Sequence, residues 1–196
     1  MSTFVRMTCL LAVLALAGCA TLSRSECQTG DWYSIGERDG ANGYTEDRFL
    51  NDAKACAARG MPADRDRWME GRDRGLARYC TARHAIEVGS ASDSYQGVCA
   101  GPAEGDFLLG YRLGRSLADA RERRAHWNRD IQQIRHRLDE ADRDRGVKSG
   151  DDKSTEHHAL TDAERVELGY RLGIATVRHD EAERDLAAIE ERSGQL

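Results

Sequence analysis

The stretch that decides the fold is Leu117-Ala-Asp-Ala-Arg-Glu-Arg-Arg-Ala-His-Trp-Asn-Arg-Asp-Ile-Gln-Gln-Ile-Arg-His-Arg-Leu138. Apolar side chains recur here at alternating intervals of four and three. The series runs Leu113, Leu117, Ala120, Trp127, Ile131, Ile134, Leu138, Ala141, with Arg124 the one polar member. A period of 3.5 residues held over four heptads is the mark of a coiled-coil seam. It predicts one long helix from just after Gly105-Asp106 to about Arg145. Residues 146–160 are polar and read as a loop, after which Thr161-x-x-Glu164 forms a capping box that starts a second helix. That helix carries its own seam: Leu168, Leu172, Ala175, His179, Ala182, Leu186 and Ile189. Folding the chain about Lys153 brings the two seams together layer by layer. Leu138 then faces Leu168, Ile134 faces Leu172, Ile131 faces Ala175, Trp127 faces His179, Arg124 faces Ala182, Ala120 faces Leu186 and Leu117 faces Ile189. Large side chains often meet small ones in this register, as interdigitated packing prefers. Residues 106–196 are therefore expected to form a long antiparallel helical hairpin, and the fold class to be all-α.

Working back toward the N-terminus, residues 19–105 read as a small helical head. A first helix is expected from Asp31, a good N-cap, to about Asn42. A second is expected to be capped by Thr45, with Phe49, Ala53, Cys56 and Ala57 as its inner stripe. The run Arg59-Gly60-Met61-Pro62 is a helix stop. A third helix starts near Asp64 and carries Trp68, Gly71, Gly75, Leu76 and Tyr79. The Gly/Ser-rich stretch from Gly89 to Gly101 reads as a loop that needs tying down.

The first eighteen residues form an export signal: Arg6, a short apolar run, then Ala17-Gly18 before Cys19. From Val5 to Ala17 the apolar stretch is shorter than the roughly 20 residues a spanning helix needs. Leu16-Ala17-Gly18-Cys19 resembles the bacterial lipobox, which implies cleavage before Cys19 and acylation of its thiol. More than one acyl chain anchors stably, and Ala20 in place of an aspartate points to the outer membrane, facing the periplasm. Of the chain's 29 basic residues the signal holds only Arg6, and it holds no acid, so the mature chain has 28 basic against 34 acidic residues. A mildly acidic chain lacks the basic patch that nucleic-acid binding requires.

Once Cys9 leaves with the signal and Cys19 is acylated, Cys27, Cys56, Cys80 and Cys99 remain. An even number in an exported chain reads as disulfides. No Cys-x-x-Cys pair is present and the spacings fit no zinc pattern, so no structural metal is expected. If the first two helices form a hairpin, Cys27 comes to Cys56, and Cys99 at the end of the glycine-rich stretch can fold back on Cys80. These two pairings are favoured among the three connectivities. Each would contribute about 3 kcal/mol in the chain-entropy picture.

Four pairs of glycines four apart fall within expected helices: Gly36/Gly40, Gly71/Gly75, Gly110/Gly114 and Gly169/Gly173. Each pair bares one helix face at a cost of about 1 kcal/mol per glycine, which suggests close approach of another backbone. Packing within the protein is the favoured explanation, and a partner or ligand against the bare backbone is the other.

Gly30-Asp31-Trp32-Tyr33, Ile35-Gly36, Asp39-Gly40, Cys56, Tyr79-Cys80-Thr81 and Tyr95-x-Gly97-Val98-Cys99 together resemble a family of short Gram-negative envelope lipoproteins classed as a domain of unknown function. The likeness runs from about Cys27 to Arg124. It implies an anchored, disulfide-bonded protein and carries no catalytic residue over. From the residues themselves, no His-Glu-x-x-His helix, Gly-x-Ser-x-Gly elbow or phosphate-binding loop is present. The adjacent His157 and His158 read as solvent-facing, and no cofactor is expected. The expected role is non-enzymatic: an interaction or scaffolding component, with a protein partner or self-association through the hairpin. A second reading makes Asp31, Trp32, Tyr33, Asp39, Trp68, Tyr79 and Tyr95 a candidate binding surface for a cell-wall saccharide or peptide. A third, an unrecognised hydrolase, would need a deep pocket holding two carboxylates, for which Asp31, Asp39 and Asp73 were the candidates.

Overall fold

A computed structural model describes residues 22–147 and 160–195, with side chains over 22–143 and 160–195. The export signal, Cys19, His157 and His158 lie outside the described residues. All regular structure among the described residues is helical. The helices are α1 (Arg24–Thr29), α2 (Trp32–Ala41), α3 (Asp47–Ala57), α4 (Arg65–Tyr79), α5 (Ala82–Ser90), α6 (Pro102–Val147) and α7 (Asp162–Ser193).

Side-chain caps set most of the starts. Asp31 accepts from the Ser34 amide at 3.1 Å and Asp64 from the Arg67 amide at 3.0 Å. Both serve otherwise unpaired first-turn amides. Thr161 and Glu164 close the expected capping box, with Glu164 N donating to Thr161 Oγ1 at 3.2 Å and Thr161 N to Glu164 Oε2 at 2.8 Å. α3 departs from expectation: it begins at Asp47, and Glu46 rather than Thr45 occupies the cap position, without a side-chain bond. α3 ends at Ala57, just ahead of the expected stop, where Gly60 is left-handed (φ +75°) and the Met61 amide donates to Cys56 O.

Two helices were not anticipated. α1 is opened by a capping box between Ser23 and Glu26. α5 is opened by Thr81, whose hydroxyl accepts from the His84 amide at 3.2 Å, and it runs through Gly89. The loop ahead of α6 is accordingly shorter than the Gly89–Gly101 stretch, and α6 starts at Pro102, a residue suited to a first helical position.

The chain forms two compact units, one made of residues 22–84 and 94–107, the other of residues 85–93 and 108–195. The expected boundary at 105/106 thus lies inside α6. In the first unit Leu22, Cys27, Trp32, Ile35, Phe49, Cys56 and Trp68 form the core. The disulfides Cys27–Cys56 and Cys80–Cys99 are both present. α2 and α4 cross through their glycine pairs. A methyl placed on Gly36 would lie 2.0 Å from the Trp68 carbonyl oxygen, and one on Gly40 2.1 Å from that of Arg72. The reciprocal positions behave alike: Gly71 meets Tyr33 O at 2.0 Å and Gly75 meets Glu37 O at 2.2 Å. Contacts advance along both helices together, so the crossing is parallel.

In the second unit, Gly114 of α6 meets Ile86 O and Gly89 of α5 meets Tyr111 O, each at 2.3 Å from the methyl that would replace the glycine hydrogen. α6 and α7 form the antiparallel hairpin. Leu117 and Ala120 cluster with Leu186 and Ile189 at one end. At the other, Arg165 Nη1 pairs with Asp142 Oδ1 at 2.6 Å. Ile131, Ile134, Ala141, Leu168, Ala175 and Ala182 are buried between, while Arg124 stays exposed.

Candidate functional site

The seven residues of the candidate binding surface do not converge on one. Trp32 and Trp68 are core residues on either side of Phe49, with ring centroids 5.7 and 5.4 Å from it. Tyr79 is buried and stacks on Phe107 at 5.0 Å. Tyr95 is half-buried with its ring 4.5 Å from the same Phe107 ring, and its hydroxyl accepts from the Cys99 amide. Tyr33 is half-buried under the Arg67 guanidinium. Asp31 is spent on its cap, and the Ser34 bonds hold its carboxyl below the ordinary range. The physical reason is composition: with aromatics at 6% of the chain, the small head core takes in Trp32, Trp68 and Tyr79 alongside Leu22, Ile35, Phe49 and Phe107. An exposed aromatic groove is therefore not what these residues make.

The densest polar chemistry in the head is a buried acid pair that sequence reasoning found only in half. Asp39 and Asp52 are both fully buried. Asp39 Oδ2 accepts from Trp68 Nε1 at 3.0 Å, while Arg48 Nε lies 3.9 Å from Asp39 Oδ1 and 3.6 Å from Asp52 Oδ2. Burial pushes the Asp39 carboxyl above its ordinary range, the Trp68 bond opposes this, and the Asp52 charge adds to it. On the inner stripe of α3, Ala53 packs against the core as expected, whereas Ala57 is exposed and Asp52 is buried beside Phe49 and Cys56. Its spacing of three from Phe49 and four to Cys56 was the available signal. Two shallow depressions occur on the head, one of about 610 Å³ beside Cys27, Trp32, Met61 and Asp64, the other of about 240 Å³ beside Glu26, Asp31, Ile35 and Arg38. Neither is lined by Asp39 or Asp52. Asp73, the remaining carboxylate candidate, is exposed. The acid pair ties α2, α3 and α4 together, a placement suited to fixing their register.

On α7 the chemistry faces outward. His179, half-buried in the seam, lies with Asp180 and Glu183 so that one ligand atom of each falls within 4.8 Å of the others, but both acids are exposed. Away from the seam, Val166, Tyr170, Ile174 and Val177 are 74, 67, 42 and 56% exposed. Gly169 and Gly173 interleave with them, and a methyl on either would meet nothing within 4 Å. Single exposed apolar residues are ordinary, whereas a contiguous run on one helix face marks a contact surface. The sequence reading singled out the glycines and missed their apolar companions, which were legible as a second stripe out of phase with the seam.

These features define a helical, disulfide-bonded protein whose most distinctive surface is an uncovered apolar helix face. Residues 31–116 match the model of a family described as "Protein of unknown function (DUF2799)". The match spans less than half of the 196 residues, takes in three of the four disulfide cysteines, and stops before most of α6 and all of α7. No curated protein and no solved structure matches the chain. No described helix is long and apolar enough to cross a membrane.

Proposed function

We propose that the protein is an envelope lipoprotein, anchored through Cys19, that works by helix-mediated association rather than by catalysis. The observation that carries this reading is the outer face of α7. Its seam face is satisfied by α6, yet Val166, Tyr170, Ile174 and Val177 present a second apolar stripe to water. Keeping four large apolar groups exposed on one face forgoes burial worth about 1.5–3 kcal/mol for each that a contact fully covers, which makes sense where a partner does so. The placement of Trp32, Trp68 and Tyr79 in the core removes the support that a saccharide-binding groove would need. The two depressions described on the head lend the hydrolase reading no support, since neither is lined by Asp39 or Asp52.

The test is site-specific photocrosslinking in the native cell, with benzoylphenylalanine at position 170 and, as a control, at exposed position 183. We expect a discrete higher-mass adduct from 170 and none from 183. Absence of any adduct from 170 contradicts the proposal.

A further inference from the structure

Resting on the reading of α7 as an association face, we infer that the occupant of this face is the α7 helix of a second copy of the chain, packed parallel across Gly169 and Gly173. The protein itself contains the template. On α4 the residues Trp68, Gly71, Arg72, Gly75, Leu76 and Tyr79 follow one another at intervals of three, one, three, one and three. All are buried except Leu76, which is half-buried. What covers the middle of that stripe is a parallel helix bearing its own glycine pair, with Gly36 and Gly40 of α2 set against Gly71 and Gly75. The outer stripe of α7 repeats the interval pattern without change: Val166, Gly169, Tyr170, Gly173, Ile174, Val177. Here, however, the glycines face open space.

A face of this shape accepts a helix that also carries a bared backbone, because a methyl on either side would block close approach. Of the other glycine pairs, Gly36/Gly40 and Gly71/Gly75 already cover each other, and Gly114 is engaged with α5 while Gly110 is buried. Among the glycine pairs that lie wholly within one described helix, Gly169/Gly173 is the one left open, and a second copy supplies its match in the same sequence. A parallel two-fold arrangement is self-complementary by construction, since residue i on one helix meets j on the other and the reverse. Helices that cross at the glycines diverge toward the ends, so the acids Asp162, Asp180 and Glu181 of the two copies separate rather than face each other. About three turns of one helix bury less than the roughly 1,200–2,000 Å² of a standard stable interface. The association is therefore weak and reversible, and it is best read by trapping.

Full-length chains carrying Val177→Cys, or Glu183→Cys as a control on another exposed face, are oxidised mildly in their own membrane fraction with the native disulfides intact. We expect Val177→Cys alone to give a band of twice the monomer mass, at least ten times stronger than that from Glu183→Cys. Adding Tyr170→Glu to Val177→Cys should reduce it at least tenfold. In a parallel pair the two copies of position 177 lie together, whereas in an antiparallel pair centred on the same stripe they are displaced by roughly 16 Å. A band that appears only when Val166→Cys and Val177→Cys chains are mixed overturns the parallel arrangement. Equal bands from positions 177 and 183, persistence of the band with Tyr170→Glu, or no band at all overturns the inference. The two proposals fail separately: a photoadduct from position 170 with the mass of another protein upholds association through α7 and overturns its assignment to a second copy, and no photoadduct overturns both.

Discussion

Asp39 shows how a single side chain couples packing to solution conditions. Its folded-state carboxyl titrates above the ordinary value, chiefly because burial disfavours the charge. Between the unfolded and folded values the folded protein holds the proton more tightly. Its contribution is thus full below the unfolded value and is lost as pH rises through the folded one. Asp39→Asn keeps an acceptor for Trp68 Nε1 and removes the titration. We expect the stability of this variant relative to the parent, measured by urea unfolding, to improve as pH goes from 4 to 7. Taking the difference matters, because Glu26 works the other way: the Arg38 and Ser23 bonds lower it to about 2, so its contribution fades as pH falls below 4.5. A difference independent of pH would contradict the account of Asp39. Half of this pair was legible beforehand, since Asp39 stood in a recognisable run with Gly36 and Gly40. Asp52 was not, because an acid on an inner stripe contradicts the apolar pattern by which stripes are read, even though Arg48 four residues earlier is its ion-pair partner.

At the level of elements, the hairpin was the most legible part of the chain and α1 and α5 the least. Periodicity over four heptads sets the seam, and Leu117, Ala120, Ile131, Ile134, Ala141, Leu168, Ala175, Ala182, Leu186 and Ile189 are buried along it, while Arg124 is exposed. α1 has six residues and α5 has nine. Helices that short draw little from propensity and are held by tertiary contacts, which a local pattern does not record. The disulfide pairing is reached from helix order alone, whereas the aromatic residues stay open between core and surface in the sequence, because burial and exposure of a Trp look the same there. The two faces of the hairpin helices give a direct contrast. Ile134 is 4% exposed in the seam and Val177 is 56% exposed outside it. We expect Ile134→Asp to lower stability by about 4 kcal/mol, in the range of severe core substitutions, and Val177→Asp to change it by no more than about 0.5 kcal/mol in dilute solution. Comparable losses in chemical denaturation would mean the seam is wrongly drawn.

Across the whole molecule, stability rests on cross-links as well as on a modest core. Cys80–Cys99 secures the segment between α5 and α6, and beside it Tyr79, Tyr95 and Phe107 pack ring against ring. Replacing both cysteines by serine should cost about 3 kcal/mol, seen as a lower urea midpoint; an unchanged midpoint would show that the aromatic packing alone holds the segment. The claim on which the functional account stands is that the same glycine-pair device is used inside the protein by α2 and α4 and left open on α7. Gly40→Ala and Gly173→Ala test it side by side in thermal unfolding at low protein concentration. A methyl on Gly40 would meet backbone at 2.1 Å, so this variant should lose about 3 kcal/mol, the upper end for overpacking. A methyl on Gly173 meets nothing within 4 Å, so that variant should hold its melting temperature or gain up to about 1 kcal/mol from better helix propensity. Destabilisation of both to a similar extent would mean that the outer face of α7 is already covered within the chain, and would contradict the account.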